Sequence, residues 1–323
     1  MKDLSVTVYL SPTTLRPYVY WCCSDYGQQY DDVTNIMRIS FAKDEQNTLL
    51  TNRQEFNKVL EQETREKFKM PGKLIYTFTK NVPQTYKEPA DFSLLNKTKP
   101  ERNLKPKAGV TTQKTFHIAK ISGDTDYFKS INRRFQAIFQ FYIDGASFID
   151  EDPNWQYFIL YLDHRVVGYT SVLEDKNQVG SLGTGKNKVG AYSSRVLLSQ
   201  FIILPPYQGM GLGSTFLQQV YDYYLKDKQC IEFSVEEPSD EFQSLMDLIE
   251  IRLIWNAGYF KTIKKLFKGK RTSQQTITID NFDQIYLDNH EIMQIQKALK
   301  LTKTRIIRCL ELIVLAKLDS KDS

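Results

Sequence analysis

One stretch, Ser199 to Phe242, limits what this chain can fold into more than any other. Phe201-Ile202-Ile203-Leu204 has the length and branched composition of a buried strand, and Pro205-Pro206 ends it. The loop that follows, Gln208-Gly209-Met210-Gly211-Leu212-Gly213, carries glycine at alternate positions. Leu212, Phe216, Leu217, Val220 and Tyr224 then recur on one face of a helix. A second strand, Ile231 to Val235, ends on two carboxylates, Glu236 and Glu237. Strand, glycine loop, helix and strand in that order specify part of a mixed α/β sheet.

Alternating glycines let backbone N–H groups turn toward one point without obstruction by Cβ atoms. The helix behind them adds its own unbonded N–H groups and the positive end of its dipole. Phosphate is the usual guest of such a loop, although a plain glycine turn is the competing reading. The loop is not a Walker A, because no Gly-Lys-Ser/Thr follows. It is a poor dinucleotide fingerprint, because the spacing is GxGxG and no acidic residue closes a second strand about 20 residues on. The pattern it carries, Gln-x-x-Gly-x-Gly, resembles the acetyl-CoA loop of the GNAT (Gcn5-related) N-acetyltransferases.

With 323 residues the chain has room for two or three domains, and 41% hydrophobic with 25% charged residues is an ordinary globular balance. No stretch approaches the ~20 apolar residues of a membrane span. The opening MKDLSVTVYLSPTT alternates rather than forming one apolar block, so it does not read as a signal peptide. Cys22, Cys23, Cys230 and Cys309 lack metal or disulfide spacing, which fits a reducing compartment. His117, His164 and His290 are scattered, which argues against a histidine triad or metal site. A net charge of +5 is too mild to point to nucleic acid.

Along the chain, Leu4 to Leu10 alternates as a strand, Tyr18 to Cys23 forms a hairpin with it, and Phe56, Leu60 and Phe68 mark a charged helix. Leu74 to Phe78 is a further strand, and residues 1–110 read as an N-terminal α+β domain. Asn96 to Lys114 holds six basic residues and few large apolar ones, and reads as a solvated linker. Residues 111–256 then run strand (Phe116 to Ile121), helix (Ile131 to Tyr142, ended by Asp144-Gly145), hairpin (Gln156 to Leu162 and Val166 to Val172) and the opening stretch. A loop rich in Gly, Asn and Lys lies between, at Lys176 to Ala191, and a helix from Asp240 to Trp255 closes the unit. Residues 257–323 carry six basic residues in Lys261 to Arg271 and two helices, with Thr302 or Thr304 as cap of the second. These helices lack a row of base-reading side chains, which argues against helix-turn-helix DNA binding.

Three motifs in order make the resemblance specific. Phe141 to Asp150 with Asp152 and Trp155-Gln156-Tyr157-Phe158, Ser199 to Gly213, and Val235-Glu236-Glu237-Pro238-Ser239 together resemble the catalytic subunit of the type B histone acetyltransferases. That resemblance implies a central GNAT domain over 111–256, flanked by the α+β domain and a C-terminal helical segment. It implies that the backbone of Phe201, Ile202 and Ile203 pairs with the pantetheine arm of acetyl-CoA. Gln208, Gly209, Met210, Gly211, Leu212, Gly213 and Ser214 are to hold the pyrophosphate, with Ser239 as a further cofactor contact. Glu236 falls at the family's general base, with Glu237 and Asp144 as neighbouring acids, and Trp155 at a position that contacts the histone tail. The sequence departs from the family pattern in having Asp144 where Glu is general and Glu237 where Asp is usual. Leu173-Glu174-Asp175 also lacks aromatic residues often found in that region. The chain starts close to the family's first central strands, so an N-terminal segment used for the histone tail and a chaperone is expected to be missing.

The residues alone leave Glu236 and Glu237 open to a second reading, a solvated strand end, and Trp155 to a core anchor. The resemblance implies acetyl transfer from acetyl-CoA, without metal, to lysines of free histone four tails. It further implies a WD-repeat histone chaperone as partner, no direct DNA or membrane binding, and a cytoplasmic and nuclear location. A GNAT acting on another protein or a small amine, and a silent histone- or acyl-CoA-binding module, are the alternatives. The basic tail around Lys264 is a candidate contact for the CoA phosphates or for acidic partners.

Overall fold

Apolar–polar alternation makes β1 (Ser5–Leu10) and β2 (Pro17–Cys22), which pair antiparallel from Ser5↔Cys22 to Leu10↔Pro17. The computed structural model describes residues 2–25, 32–41, 49–66, 68–83, 111–121, 126–143, 145, 148–149, 152–179, 191–259 and 289–319. After a short helix α1 (Val33–Phe41), α2 (Arg53–Arg65) supplies a buried carboxylate, Glu63, to the turn between β1 and β2. Glu63 accepts from the Ser11 hydroxyl at 2.8 Å, from the Thr13 and Thr14 N–H groups at 2.9 and 3.2 Å, and from the Thr14 hydroxyl. A buried charge is tolerable only when satisfied in this way. Tyr18, Leu50 and Phe56 pack beneath. Phe68, expected on this helix, lies beyond its end, with its ring 5.7 Å from that of Tyr161.

Six strands form the second sheet, in the order β3 (Lys73–Pro83), β4 (Thr111–Ile121), β5 (Trp155–Leu162), β6 (Arg165–Val179), β7 (Ala191–Ile203), β8 (Cys230–Val235). β3 and β4 pair antiparallel from Lys73↔Lys120 to Pro83↔Thr111, with one register shift between Leu74 and Tyr76, so the ladder crosses the boundary drawn at residue 110. The linker reading of Asn96 to Lys114 lies outside the described residues as far as residue 110. Beyond that point the chain is already strand. β6 and β7 likewise extend past their apolar runs, to Val179 and back to Ala191. Ladders are backbone bonds, so a polar strand end leaves no hydrophobic signal. β5 and β6 join through Asp163-His164, where Asp163 takes φ +54°. β7 and β8 are parallel, as a strand–helix–strand connection requires.

The chain divides into two compact units. One comprises Met1–Pro153, Tyr157–Thr170 and Ile202–Gly213. Its core includes α3 (Asp126–Phe139), whose Phe128, Ile131, Phe135, Ile138 and Phe139 are buried, while Tyr142 falls past the helix end and is exposed. The Phe135 ring stacks on Tyr169 at 4.3 Å, and the Tyr169 hydroxyl donates to Asn132 at 2.5 Å.

The other unit comprises Asn154–Gln156, Ser171–Phe201 and Ser214–Ser323. It holds most of α4 (Leu212–Lys226), with α5 (Asp240–Asn256), α6 (Asn289–Leu299) and α7 (Lys303–Asp319). Lys300, buried and left-handed at φ +56°, donates from Nζ to the Tyr224 carbonyl at 2.5 Å and to that of Asp227, capping the end of α4. Its own carbonyl accepts from Phe233 N–H on β8 at 2.7 Å. Of the two threonines expected to cap α7, Thr302 does so, accepting from Arg305 N–H at 3.3 Å.

Glu250 on α5 is wholly buried and accepts from the Tyr221 hydroxyl and Arg305 Nε, both at 2.6 Å. Arg305 also reaches Asp247 at 2.7 Å, and Arg308 reaches Asp247 at 2.9 Å. Burial pushes the Glu250 carboxyl up against the opposing pull of Arg305. At Asp247 burial also pushes upward, but bonds from Arg308 and Arg305 prevail and hold the carboxyl below its ordinary 3.8. Its stabilising contribution is therefore complete above that value and disappears as pH falls through the lower folded value. Glu250→Ala leaves the Tyr221 hydroxyl and Arg305 Nε without their acceptor, with only Asp247 still pairing Arg305, and is expected to cost about 3 kcal/mol. Glu250→Leu with Arg305→Met should recover part of that loss, as read from denaturant midpoints of the intact chain.

Candidate active site

The glycine loop begins where β7 meets two prolines. Leu204 N–H bonds the Val167 carbonyl at 2.9 Å, and Pro205–Tyr207 form one 3-10 turn that buries Tyr207. The Gln208 side-chain amide donates to the Ile203 carbonyl at 2.7 Å, tying the loop back onto the strand it leaves. Gly209 and Gly211 take φ +73° and +67°, which L side chains rarely adopt. A Cβ at Gly209 would meet nothing within 4 Å, so that glycine serves backbone conformation alone. At Gly211 a Cβ would lie 2.8 Å from Lys80 Nζ, which donates to the Gly211 carbonyl at 3.0 Å. α4 starts at Leu212 with no acidic residue in its first turn, so its leading N–H groups have no local carboxylate competing for them.

The strand ahead of the loop is set by another close approach. A Cβ on Gly168 of β6 would lie 2.7 Å from Ile203 Cδ1 and 2.9 Å from the Ile202 carbonyl oxygen. Only glycine lets the chain run this near to Ile202 and Ile203.

The carboxylate lies where β8 stops. Pairing of β7 with β8 runs from Ser194↔Cys230 to Leu198↔Val235, and the Glu236 N–H closes it on the Leu198 carbonyl at 2.9 Å. β7 continues to Ile203. The Ser199 hydroxyl donates to Glu236 Oε2 at 2.5 Å, fixing the exposed acid to β7 two residues before Phe201. The Phe201 ring packs against Phe216 and Phe242 at 5.3 and 5.1 Å. Glu237 follows in a left-handed conformation at φ +34°. Ser239 caps α5, accepting from Phe242 N–H at 3.3 Å.

Trp155 opens β5 and is half-buried; Asp144 lies outside the described residues, as does the basic stretch around Lys264. Glu174 accepts from the Tyr224 hydroxyl at 3.0 Å. Burial pushes the Cys230 thiol up to about 11, so it is protonated and a poor nucleophile at neutral pH. Among the described residues, no three His, Cys, Asp or Glu side chains gather as metal ligands would.

Sequence reading singled out neither Lys80 nor Gly168, and it used Ser199 only as part of a motif. Lys80 lies 131 positions from Gly211, and no local pattern joins two such residues. Gly168 sits inside an apolar strand, where an isolated glycine is the one available hint of a close backbone approach.

Comparison with known proteins gives two matches that overlap over residues 124–144. Residues 1–144 match the family model described as the histone acetyl transferase HAT1 N-terminus, and residues 124–244 match the acetyltransferase (GNAT) family. A histone acetyltransferase type B catalytic subunit of Candida albicans is 26% identical over 330 positions, covering 98% of this chain and 67% of that protein. The subunit of Kluyveromyces lactis is 28% identical, covering 62% of this chain and 47% of its own length. That of Candida glabrata is 33% identical, covering 42% and 35%. The chain thus spans about two thirds of the first relative and less than half of the other two.

The two kinds of glycine are separable by experiment. Gly168→Ala forces Cβ against Ile203 and the Ile202 carbonyl, with an expected loss of about 1–3 kcal/mol. Adding Ile203→Val removes one of the clashing atoms and should restore part of it. Gly209→Ala, strained in backbone alone, should cost about 1–2 kcal/mol, and Gly209→Asn less, because asparagine tolerates the left-handed region. Thermal unfolding of the four variants checks the contrast.

Proposed function

We propose that the chain is a type B histone acetyltransferase catalytic subunit of the GNAT superfamily and that it transfers acetyl from acetyl-CoA to lysine amines of free histone four tails. The observation that carries this reading is the Ser199–Glu236 hydrogen bond. It fixes a carboxylate beside the stretch of β7 that has no β8 partner opposite it.

The residues fit the co-substrate. β7 runs beyond the end of β8, which leaves backbone edge for an extended pantetheine arm to join as a strand would. Gly209 and Gly211 open the loop, and the first turn of α4 offers N–H groups to a pyrophosphate. The Ser239 cap uses the oxygen as acceptor, so its hydroxyl can still donate to an anion.

Glu236 has a defined task. A free lysine has a pKa of ~10.4, so at pH 7 forming the neutral amine costs about 4.6 kcal/mol, from ~3.4 units at 1.36 each. In our reading Glu236 takes that proton, directly or through one water, while Ser199 holds its orientation. The neutral amine adds to the thioester carbonyl and a backbone N–H near Ile202 stabilises the negative oxygen; the carbon–sulfur bond then breaks, and the proton that the adduct nitrogen gives up passes to the departing thiolate, leaving amide and CoA thiol. Direct transfer needs no enzyme nucleophile, which agrees with the raised Cys230 thiol.

Glu237 and Asp144 serve as neighbouring acids that attract a cationic tail, and Trp155 as a contact for it. A WD-repeat histone chaperone presents the histone, in the cytoplasm and nucleus, and the reaction involves neither DNA nor membrane. The names of the relatives and the match of residues 1–144 support a histone substrate; the choice of histone four and of the chaperone is our inference.

Glu236→Gln should lower kcat by about 10²–10⁴-fold while leaving acetyl-CoA affinity within about twofold. Ser199→Ala should lower it less, because the base remains but is less well oriented. Labelled acetyl-CoA with a panel of free histones, mapped by mass spectrometry, decides the substrate. Label spread evenly over unrelated amines, or absent from histone four, would overturn the reading.

A further inference from the structure

We propose that Lys80 is a pyrophosphate-binding residue of the acetyl-CoA loop, carried to it by β3 from outside the glycine motif. The proposal rests on the acetyl-CoA reading above and adds a residue to it.

Gln208 to Ser214 contains no lysine or arginine. Its backbone N–H groups supply only partial charges, whereas a pyrophosphate diester carries two full negative charges at neutral pH. Hydrogen bonds from a charged donor are roughly twice as strong as neutral ones. Lys80 Nζ lies 3.0 Å from the Gly211 carbonyl, inside the turn that this reading gives to the phosphates. An ammonium has three N–H donors, and the Gly211 bond uses one. A Cβ at 211 would sit 2.8 Å from Nζ, although φ +67° is the stronger reason for glycine there.

Lys80 stands opposite Lys114 in the β3–β4 ladder, on the face that also carries Phe78 and Phe116. Lys80 is half-buried, so its charge is screened less than that of a fully exposed lysine. If Lys80 merely capped a loop carbonyl, its replacement would weaken every ligand of the loop alike. If it binds phosphate, replacement weakens only ligands that carry phosphate.

The full chain is titrated by calorimetry with acetyl-CoA, acetyl-dephospho-CoA and S-acetylpantetheine. For Lys80→Met, which keeps most of the apolar stem, affinity for both phosphorylated ligands should fall about tenfold. Affinity for S-acetylpantetheine should be unchanged, KM for acetyl-CoA should rise, and kcat at saturation should hold. Lys80→Arg should restore most of the loss.

A second measurement needs no variant. Acetyl-CoA should protect Lys80 of the unaltered protein from an amine-reactive label read by mass spectrometry, and S-acetylpantetheine should not. Unchanged acetyl-CoA affinity in Lys80→Met, an equal loss with S-acetylpantetheine, or the absence of protection would each overturn the proposal. Unaltered protein that binds none of the three ligands would overturn the acetyl-CoA reading itself, and Lys80 with it.

Discussion

The early end of β8 is the constraint on which the proposed chemistry depends. β7 and β8 are parallel neighbours only as far as Leu198 and Val235. Past that point β7 keeps its extended backbone to Ile203, and β8 gives way to Glu236. An unpaired strand edge is normally a hazard, because its N–H and C=O groups recruit other chains. Here the same edge suits an extended ligand, and the side chain beside it is an acid anchored by Ser199 rather than a hydrophobe.

Holding that point steady takes much of the second unit. Phe201 is wedged between Phe216 of α4 and Phe242 of α5, so strand end and helices are packed together. α5 is in turn fastened to α7 through Arg305, Arg308, Asp247 and Glu250, and to α4 through the Tyr221 hydroxyl. A buried acid in such a network is weak evidence for stability but fixes relative position, because a shift of either helix would leave charges unpaired. The two C-terminal helices are thus tied to the residues that present Glu236, although they contribute none of the expected site residues.

The sequence was most legible where a structural element imposes a period or a forbidden conformation. The apolar positions of α4 and of α3 up to Phe139, the Asp163-His164 turn and the glycine loop all match the structure, since burial and φ act on identifiable residue types. Strand extent was less legible. Lys114 read as linker and lies in a ladder, because backbone pairing is indifferent to side-chain polarity on an exposed strand. Glu236 and the loop were visible as motifs. Ser199 as the partner of Glu236, Gly168 as a spacer and Lys80 at Gly211 were not, since each depends on two residues far apart in sequence coming together. Ser239 was expected to meet the cofactor, and its position three residues before Phe242 N–H also makes it a helix cap.

The Lys300 contact bears on how the chain matures during synthesis. The last carbonyls of α4 are satisfied by an ammonium that lies 76 and 73 positions further along the chain. As the polypeptide leaves the ribosome, the closing turn of α4, where the Tyr224 carbonyl accepts from Asp227 N–H, therefore lacks this ammonium until Lys300, just after α6, has been translated. Phe233 of β8 waits for the same residue, whose carbonyl receives its N–H. Vectorial folding of this unit cannot finish when the glycine loop appears; it ends only once residues near 300 are out of the exit tunnel.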